Sequence, residues 1–248
     1  LVNLYHRIEG KGEAILFLPG LGLNHHLFDD IANFLKGSYT IILTDLYGTG
    51  KSPKPEEKYS FIQDAQKVYE IVKDFKMINV IGHSRGVKIA LCLYEHYKNF
   101  GKIIFVGQAG FGKNDDRFTK NALEVKKLKL STKTEIAKKL EQGLNFGKIY
   151  GGTETLLKLK KAKEGCDIAD TLLRRVEDSP DYLKIAKEIE NEVHFIIGAN
   201  DPFYDDIKEA TKIYKRPKIY EISECGHFPM IEKATQFNSI VKKILEGG

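Results

Sequence analysis

Short apolar runs alternate along this chain with stretches in which apolar residues recur every three or four positions. The runs Ala14–Leu18, Thr40–Thr44, Ile78–Ile81, Lys102–Val106, Glu192–Ile197 and Lys218–Ile222 are bounded by turn residues and predict strands covered on both faces. Between them, Phe28–Leu35, Phe61–Phe75, Gly86–Tyr97, Asp205–Tyr214 and Ala234–Leu245 carry helical spacing. Alternation of this kind predicts an α/β fold, a mostly parallel central sheet with crossover helices on both faces. The opening Val2–Ile8 predicts an antiparallel edge strand.

One interval breaks the rhythm. From Gly107 to Asn191 no strand pattern occurs, and helical patterns follow one another at Arg117–Leu130, Thr134–Leu144, Glu154–Lys163, Ile168–Val176 and Tyr182–Ile189. That is too long for a single crossover. It predicts a helical cap at 111–191 inserted into a core made of residues 1–110 and 192–248.

Composition narrows the class. The chain has 248 residues, 42% apolar and 29% charged, which suits one cored soluble domain with an insertion. No run is long enough to span a bilayer, and the N-terminus lacks the long apolar stretch of a secretory signal. Three widely spaced cysteines, Cys92, Cys166 and Cys225, make neither a disulfide framework nor a zinc pair, so a reducing cytoplasm is the expected compartment and no metal or cofactor is expected. The net charge of +5 is uneven: residues 112–191 hold 18 Lys/Arg against 14 Asp/Glu. Acidic and basic residues alternate there, as on a solvated helical surface. This argues against nucleic acid and leaves a weak attraction for acidic partners.

The chemistry concentrates where strands end. Gly82-His83-Ser84-Arg85-Gly86 follows one predicted strand and opens a helix. A sharp turn there lifts Ser84 above the sheet and makes it a candidate nucleophile. The Arg85 N–H then lies at a helix N-terminus, where it can hold a developing oxyanion. A serine hydroxyl needs a base. His227, in Gly226-His227-Phe228, follows the last strand. Asp201, in Asn200-Asp201-Pro202, follows the strand before it and is the candidate acid, with Asp205 and Asp206 as rivals in the first turn of the next helix. The order Ser84, Asp201, His227 is the one expected of this architecture. Pro19-Gly20-Leu21-Gly22 follows the first core strand and can offer the Leu21 N–H as a second oxyanion donor. His25 and His26 follow that loop and could line a pocket. Gly50-Lys51-Ser52 invites a phosphate-loop reading, which fails because Asp45 stands where the first glycine must be and Pro53 follows.

These motifs, together with Asp45-x-x-Gly48-x-Gly50-x-Ser52, resemble those of the α/β-hydrolase family, in its esterase and lipase-like group with a helical cap. The resemblance covers nearly the whole chain. It implies Ser84, Asp201 and His227 as a triad and Leu21 and Arg85 as main-chain oxyanion donors. Ser84 stands where dehalogenases and epoxide hydrolases of the family carry aspartate. Pro19 stands where many relatives have histidine, and Lys88 is unusual in the helix after the elbow. The expected activity is hydrolysis of a small-molecule or acyl-chain carboxylic ester. The first loop also resembles that of esterases acting on carrier-bound acyl methyl esters, which with the basic interval would suit an acidic acyl carrier protein. A thioesterase, a ligand-binding receptor and a cofactor-free lyase or perhydrolase are the alternatives on the same fold.

Overall fold

The structure is a computed structural model, and it describes residues 3–54, 56–108, 147–168, 171 and 180–247. In chain order the elements are β1 (His6–Gly10), β2 (Ala14–Leu18), a 3₁₀ turn (His25–Phe28), α1 (Asp29–Leu35), β3 (Thr40–Thr44), α2 (Phe61–Val72), β4 (Ile78–His83), α3 (Arg85–His96) and β5 (Phe100–Val106). Then come α4 (Thr153–Lys163), α5 (Tyr182–Glu188), β6 (Val193–Gly198), α6 (Tyr204–Thr211), β7 (Pro217–Ile222), α7 (Pro229–Glu232) and α8 (Ala234–Leu245).

Among the described residues the strands form one sheet in the order β1-β3-β2-β4-β5-β6-β7. All neighbours are parallel except β1, which runs antiparallel along β3 at the edge. The central strands are apolar throughout because each face meets helices. Leu16 and Leu18 join a core with α2, α3, α5 and α6, whereas Ile15 and Phe17 join one with α1, α7 and α8. Alternate residues of one strand thus serve two cores. Local signals agree with the sheet: Ser60 and Gln63 close a capping box at the start of α2.

The edge strand starts later than its apolar pattern suggests. Tyr5 is taken by the loop after β3, its N–H donating to Ser52 Oγ at 2.8 Å and its carbonyl accepting the Asp45 N–H at 2.9 Å. Pairing with the five residues of β3 therefore begins at His6.

The strand order reverses at β2. From it the chain steps to β3 on one side and then to β4 on the other, so a crevice opens outside the carboxyl ends of β2 and β4. Parts of the interval between β5 and β6 lie over it. Helix α4 docks on the 3₁₀ turn, with the Asn24 N–H donating to the Ala162 carbonyl (2.8 Å) and ion pairs Lys158–Asp30 and Lys161–Asp29. A methyl group on Gly22 would lie 2.2 Å from Ile168, and one on Gly165 would lie 2.6 Å from the Gly50 carbonyl. Residues 165–168 therefore sit on the loops that follow β2 and β3. Helix α5 packs its Tyr182, Ile185 and Ala186 into the core of α2 and α3. The helices expected at Arg117–Leu130 and Thr134–Leu144, and most of the one at Ile168–Val176, lie outside the described residues.

Candidate active site

Ser84 stands between β4 and α3 with φ 51° and ψ −113°, a conformation that costs a non-glycine residue about 1–3 kcal/mol. Its neighbours hold it there. The Ser84 N–H donates to the Val106 carbonyl at 2.9 Å. Gly86 passes so close to β2 that a methyl group on it would lie 2.1 Å from the Leu18 carbonyl oxygen. A methyl group on Gly82 would press at 3.1 Å on the backbone of Gly86 and Val87. Both flanking glycines are thus fixed by backbone approach, and Ser84 is left half-buried at the top of the sheet.

His227 and Asp201 meet at the same end. His227 Nδ1 donates to Asp201 Oδ2 at 2.8 Å, and both side chains are fully buried. The other carboxylate oxygen accepts the Phe203 N–H at 2.9 Å, which orients it. Asp205 and Asp206 lie in the first turn of α6, where the helix dipole favours them, and it is Asp201 that reaches the imidazole. Two links bring this pair beside Ser84. His83 Nε2 donates to the His227 carbonyl at 2.9 Å. Gly107, one residue past the Val106 carbonyl that anchors Ser84, lies so near that a methyl group on it would be 3.0 Å from His227 Cε1 and 3.4 Å from Asp201 Oδ2.

The two residues whose N–H groups are expected to hold an oxyanion follow the paired strands β2 and β4. Arg85 is the first residue of α3, one of the helix-terminal N–H groups without an intrahelical partner. Leu21 is buried in the turn after β2, whose Gly22 takes φ 66°. The nearby thiols are poor nucleophiles. Burial pushes Cys225 up to about 12 and Cys166 up to about 11, so both stay protonated at neutral pH. Among the described residues no cluster of three His, Cys, Asp or Glu is placed to hold a metal, and no helix is long and apolar enough to cross a membrane.

Residues 13–124 match the family profile described as alpha/beta hydrolase fold. Among solved structures, MenH from S. aureus aligns over 98% of both chains with a TM-score of 0.82 at 18% identity. The chain has the fold of the α/β-hydrolase family. An esterase from Exiguobacterium antarcticum aligns over 98% of this chain and 96% of its own, with a TM-score of 0.79 at 19% identity. An uncharacterized protein of Mycobacterium tuberculosis is 32% identical over 111 residues, which span 44% of this chain and only 33% of that protein.

Other polar groups of this α/β-hydrolase fold hold the site's loops, and pattern reading missed the most important of them. Glu232, in the short helix α7, accepts the N–H groups of Gly226 (2.8 Å), Phe228 (2.8 Å) and Tyr150 (3.0 Å). It therefore clamps the main chain on both sides of His227 and ties it to Tyr150, ahead of α4. Its one sequence signal is an acid in a helical turn just after Pro229. His83, the variable residue of the elbow, is fully buried, and burial holds its imidazole well below the usual histidine range. The His25 N–H and Nδ1 both donate to Asp45 Oδ1 at 2.7 Å, joining the loops after β2 and β3. His26 pairs with Asp29 at the surface. Lys88 places its ammonium 5.6 Å from the centre of the Tyr182 ring on α5. In Gly50-Lys51-Ser52, the Ser52 hydroxyl donates to the Asp45 carbonyl and the Lys51 ammonium lies over the Tyr5 ring.

Proposed function

We propose that this protein is a serine hydrolase that cleaves a carboxylic ester through an acyl-enzyme on Ser84. The observation that carries this reading is the buried Asp201–His227 hydrogen bond at the end of the sheet where Ser84 stands on its strained turn. Asp201 accepts from Nδ1 and so selects the tautomer in which Nε2 is the base. His227 takes the Ser84 proton as the hydroxyl adds to the ester carbonyl. The N–H groups of Leu21 and Arg85 hold the tetrahedral oxyanion, each donor of this kind being worth on the order of 10²–10³ in rate. His227 then protonates the leaving alcohol, and water, activated by the same imidazole, releases the acyl group. In this reading the described part of the expected cap, residues 147–168, helps to shape the acyl pocket. The esterase likeness from Exiguobacterium antarcticum supports the ester class through shared fold.

The test is a series of p-nitrophenyl esters of rising chain length, run on the wild-type chain and on Ser84→Ala, with fluorophosphonate labelling alongside. We expect turnover and a single adduct on Ser84 in the wild type. Ser84→Ala should lose activity by about 10⁴-fold or more, with labelling abolished. A folded wild-type chain that takes no label overturns the proposal.

A further inference from the structure

The residue after the nucleophile carries a second, unexplained group. The Arg85 side chain is 5% exposed, and none of its three guanidinium nitrogens is hydrogen-bonded to a carboxylate among the described residues. A guanidinium cannot shed its proton in a protein, so this one remains a buried cation. The described residues around it supply no anion. The Tyr59 hydroxyl is its polar neighbour: the guanidinium favours the ionised phenol through its charge and a hydrogen bond, but burial outweighs both and raises the phenol, so it stays neutral. Cys166 is kept neutral in the same way. Asp45 already accepts from His25 and from the Lys51 N–H, and Asp64 accepts the Tyr47 N–H. No carboxylate among the described residues pairs with Arg85. A buried charge without a counter-charge costs several kcal/mol, and a structure retains one where something else completes it.

The position of the group says what completes it. Tyr59 donates to the Tyr47 carbonyl, beside Gly48, and a methyl group on Gly48 would lie 3.2 Å from Thr171 Oγ1 and 3.5 Å from the Tyr59 hydroxyl. Arg85 thus faces the loop after β3, under the segment that contains Cys166 and Thr171. His227 and Asp201 come from the opposite side of Ser84, after β7 and β6. Given the proposed role of Ser84, the leaving alcohol lies toward His227 and the acyl chain toward Arg85. We propose that the Arg85 guanidinium is an anion subsite that binds a carboxylate on the acyl part of the substrate, so that the natural substrate is a half-ester of a dicarboxylic acid or a close analogue. The planar fork of arginine matches a carboxylate through two parallel hydrogen bonds, and one cation balances one negative charge. A phosphate monoester would bring a second charge that these groups leave unbalanced.

This inference rests on the serine esterase reading, and its test separates the two. Thermal melting of the wild-type chain and of Arg85→Met is measured with sodium succinate, with inorganic phosphate and without ligand. Succinate should raise the wild-type Tm saturably and leave that of Arg85→Met unmoved. Without ligand, Arg85→Met should melt no lower than wild type, because an uncompensated charge has been replaced by an apolar chain. In parallel, kcat/KM for monoethyl succinate relative to ethyl butyrate should fall about ten- to a hundredfold in Arg85→Met, the worth of a charged hydrogen-bond pair. A succinate shift without hydrolysis of either ester keeps the anion subsite and removes the esterase reading. No succinate shift, a shift retained in Arg85→Met, or a shift with phosphate alone overturns the carboxylate subsite. A lower ligand-free Tm of Arg85→Met with no ligand effect makes Arg85 structural and also overturns it.

Discussion

Single residues at this site divide into those that present chemistry and those that hold them in place. Glu232 belongs to the second kind. Its two oxygens accept three main-chain N–H groups, two of them flanking His227. In Glu232→Gln one oxygen becomes an NH₂ group that faces an N–H donor, so at least one buried bond is replaced by a repulsion. Charge-assisted bonds of this kind are worth about 1.5–3 kcal/mol each, and the variant should lose stability on that order. The His227 loop should also shift, and a displacement near 1 Å can cost on the order of 10²-fold in rate. The expected result is a lower kcat with KM little changed, read by steady-state kinetics on a p-nitrophenyl ester, together with an earlier urea midpoint. An unchanged kcat would show that the loop holds its geometry without the clamp. Ser84, Asp201 and His227 were legible in the sequence because each follows a strand and carries a short local motif. Glu232 and the lack of a carboxylate beside Arg85 among the described residues were not. A clamp and a missing counter-charge are properties of residues far apart in the chain, and no periodicity records them.

Elements were legible to the degree that their own residues decide them. β2 and β3 match their apolar runs residue for residue, because both faces of each are covered and polar or turn residues close each run. β1 does not, since its start is fixed by where Tyr5 leaves for the Ser52 loop. The junction of β4 and α3 shows how tightly two elements can set a third. Ser84 keeps its left-handed φ only while α3 lies hard against β2, and that approach is possible because residue 86 has no side chain. Gly86→Ala would place a methyl carbon 2.1 Å from the Leu18 carbonyl, a contact with backbone that cannot swing away. Helix and strand must separate, at a cost of about 3 kcal/mol or more, and the turn should relax with them. We expect Gly86→Ala to show a large fall in denaturation midpoint, and any folded fraction to label with fluorophosphonate far more slowly than wild type. Wild-type labelling in a stable Gly86→Ala chain would mean that the elbow does not depend on this contact.

For the whole molecule, histidines buried in the sheet set how stability responds to mild acid. Burial, the largest influence, holds His83 well below the ordinary histidine value, and the neighbouring His227 acts in the same direction. His194 on β6 is lowered too, again mainly by burial. A histidine with a depressed folded pKa has no effect on stability while both states are neutral, above the unfolded value of about 6.5. As pH falls below that, the unfolded chain binds a proton that the native chain excludes. Stability then declines by about 1.4 kcal/mol per pH unit for each such site, until the folded pKa is reached. Paired carboxylates such as Glu221, held below its usual range by the hydrogen bond from Lys208, act in the same direction but only below pH 4.5. The window from about pH 6.5 down to 5 therefore belongs to the histidines. Urea midpoints of the wild-type chain should fall across that window, and those of His83→Gln should fall less steeply, by about one site's share. His83→Gln will start lower at pH 7.5, having lost the bond to the His227 carbonyl, so the slope and not the offset carries the information. Parallel slopes would mean that His83 takes up its proton in the folded chain. That outcome is hard to reconcile with its place, since a second proton on this ring would put a charge in the fully buried layer directly beneath His227.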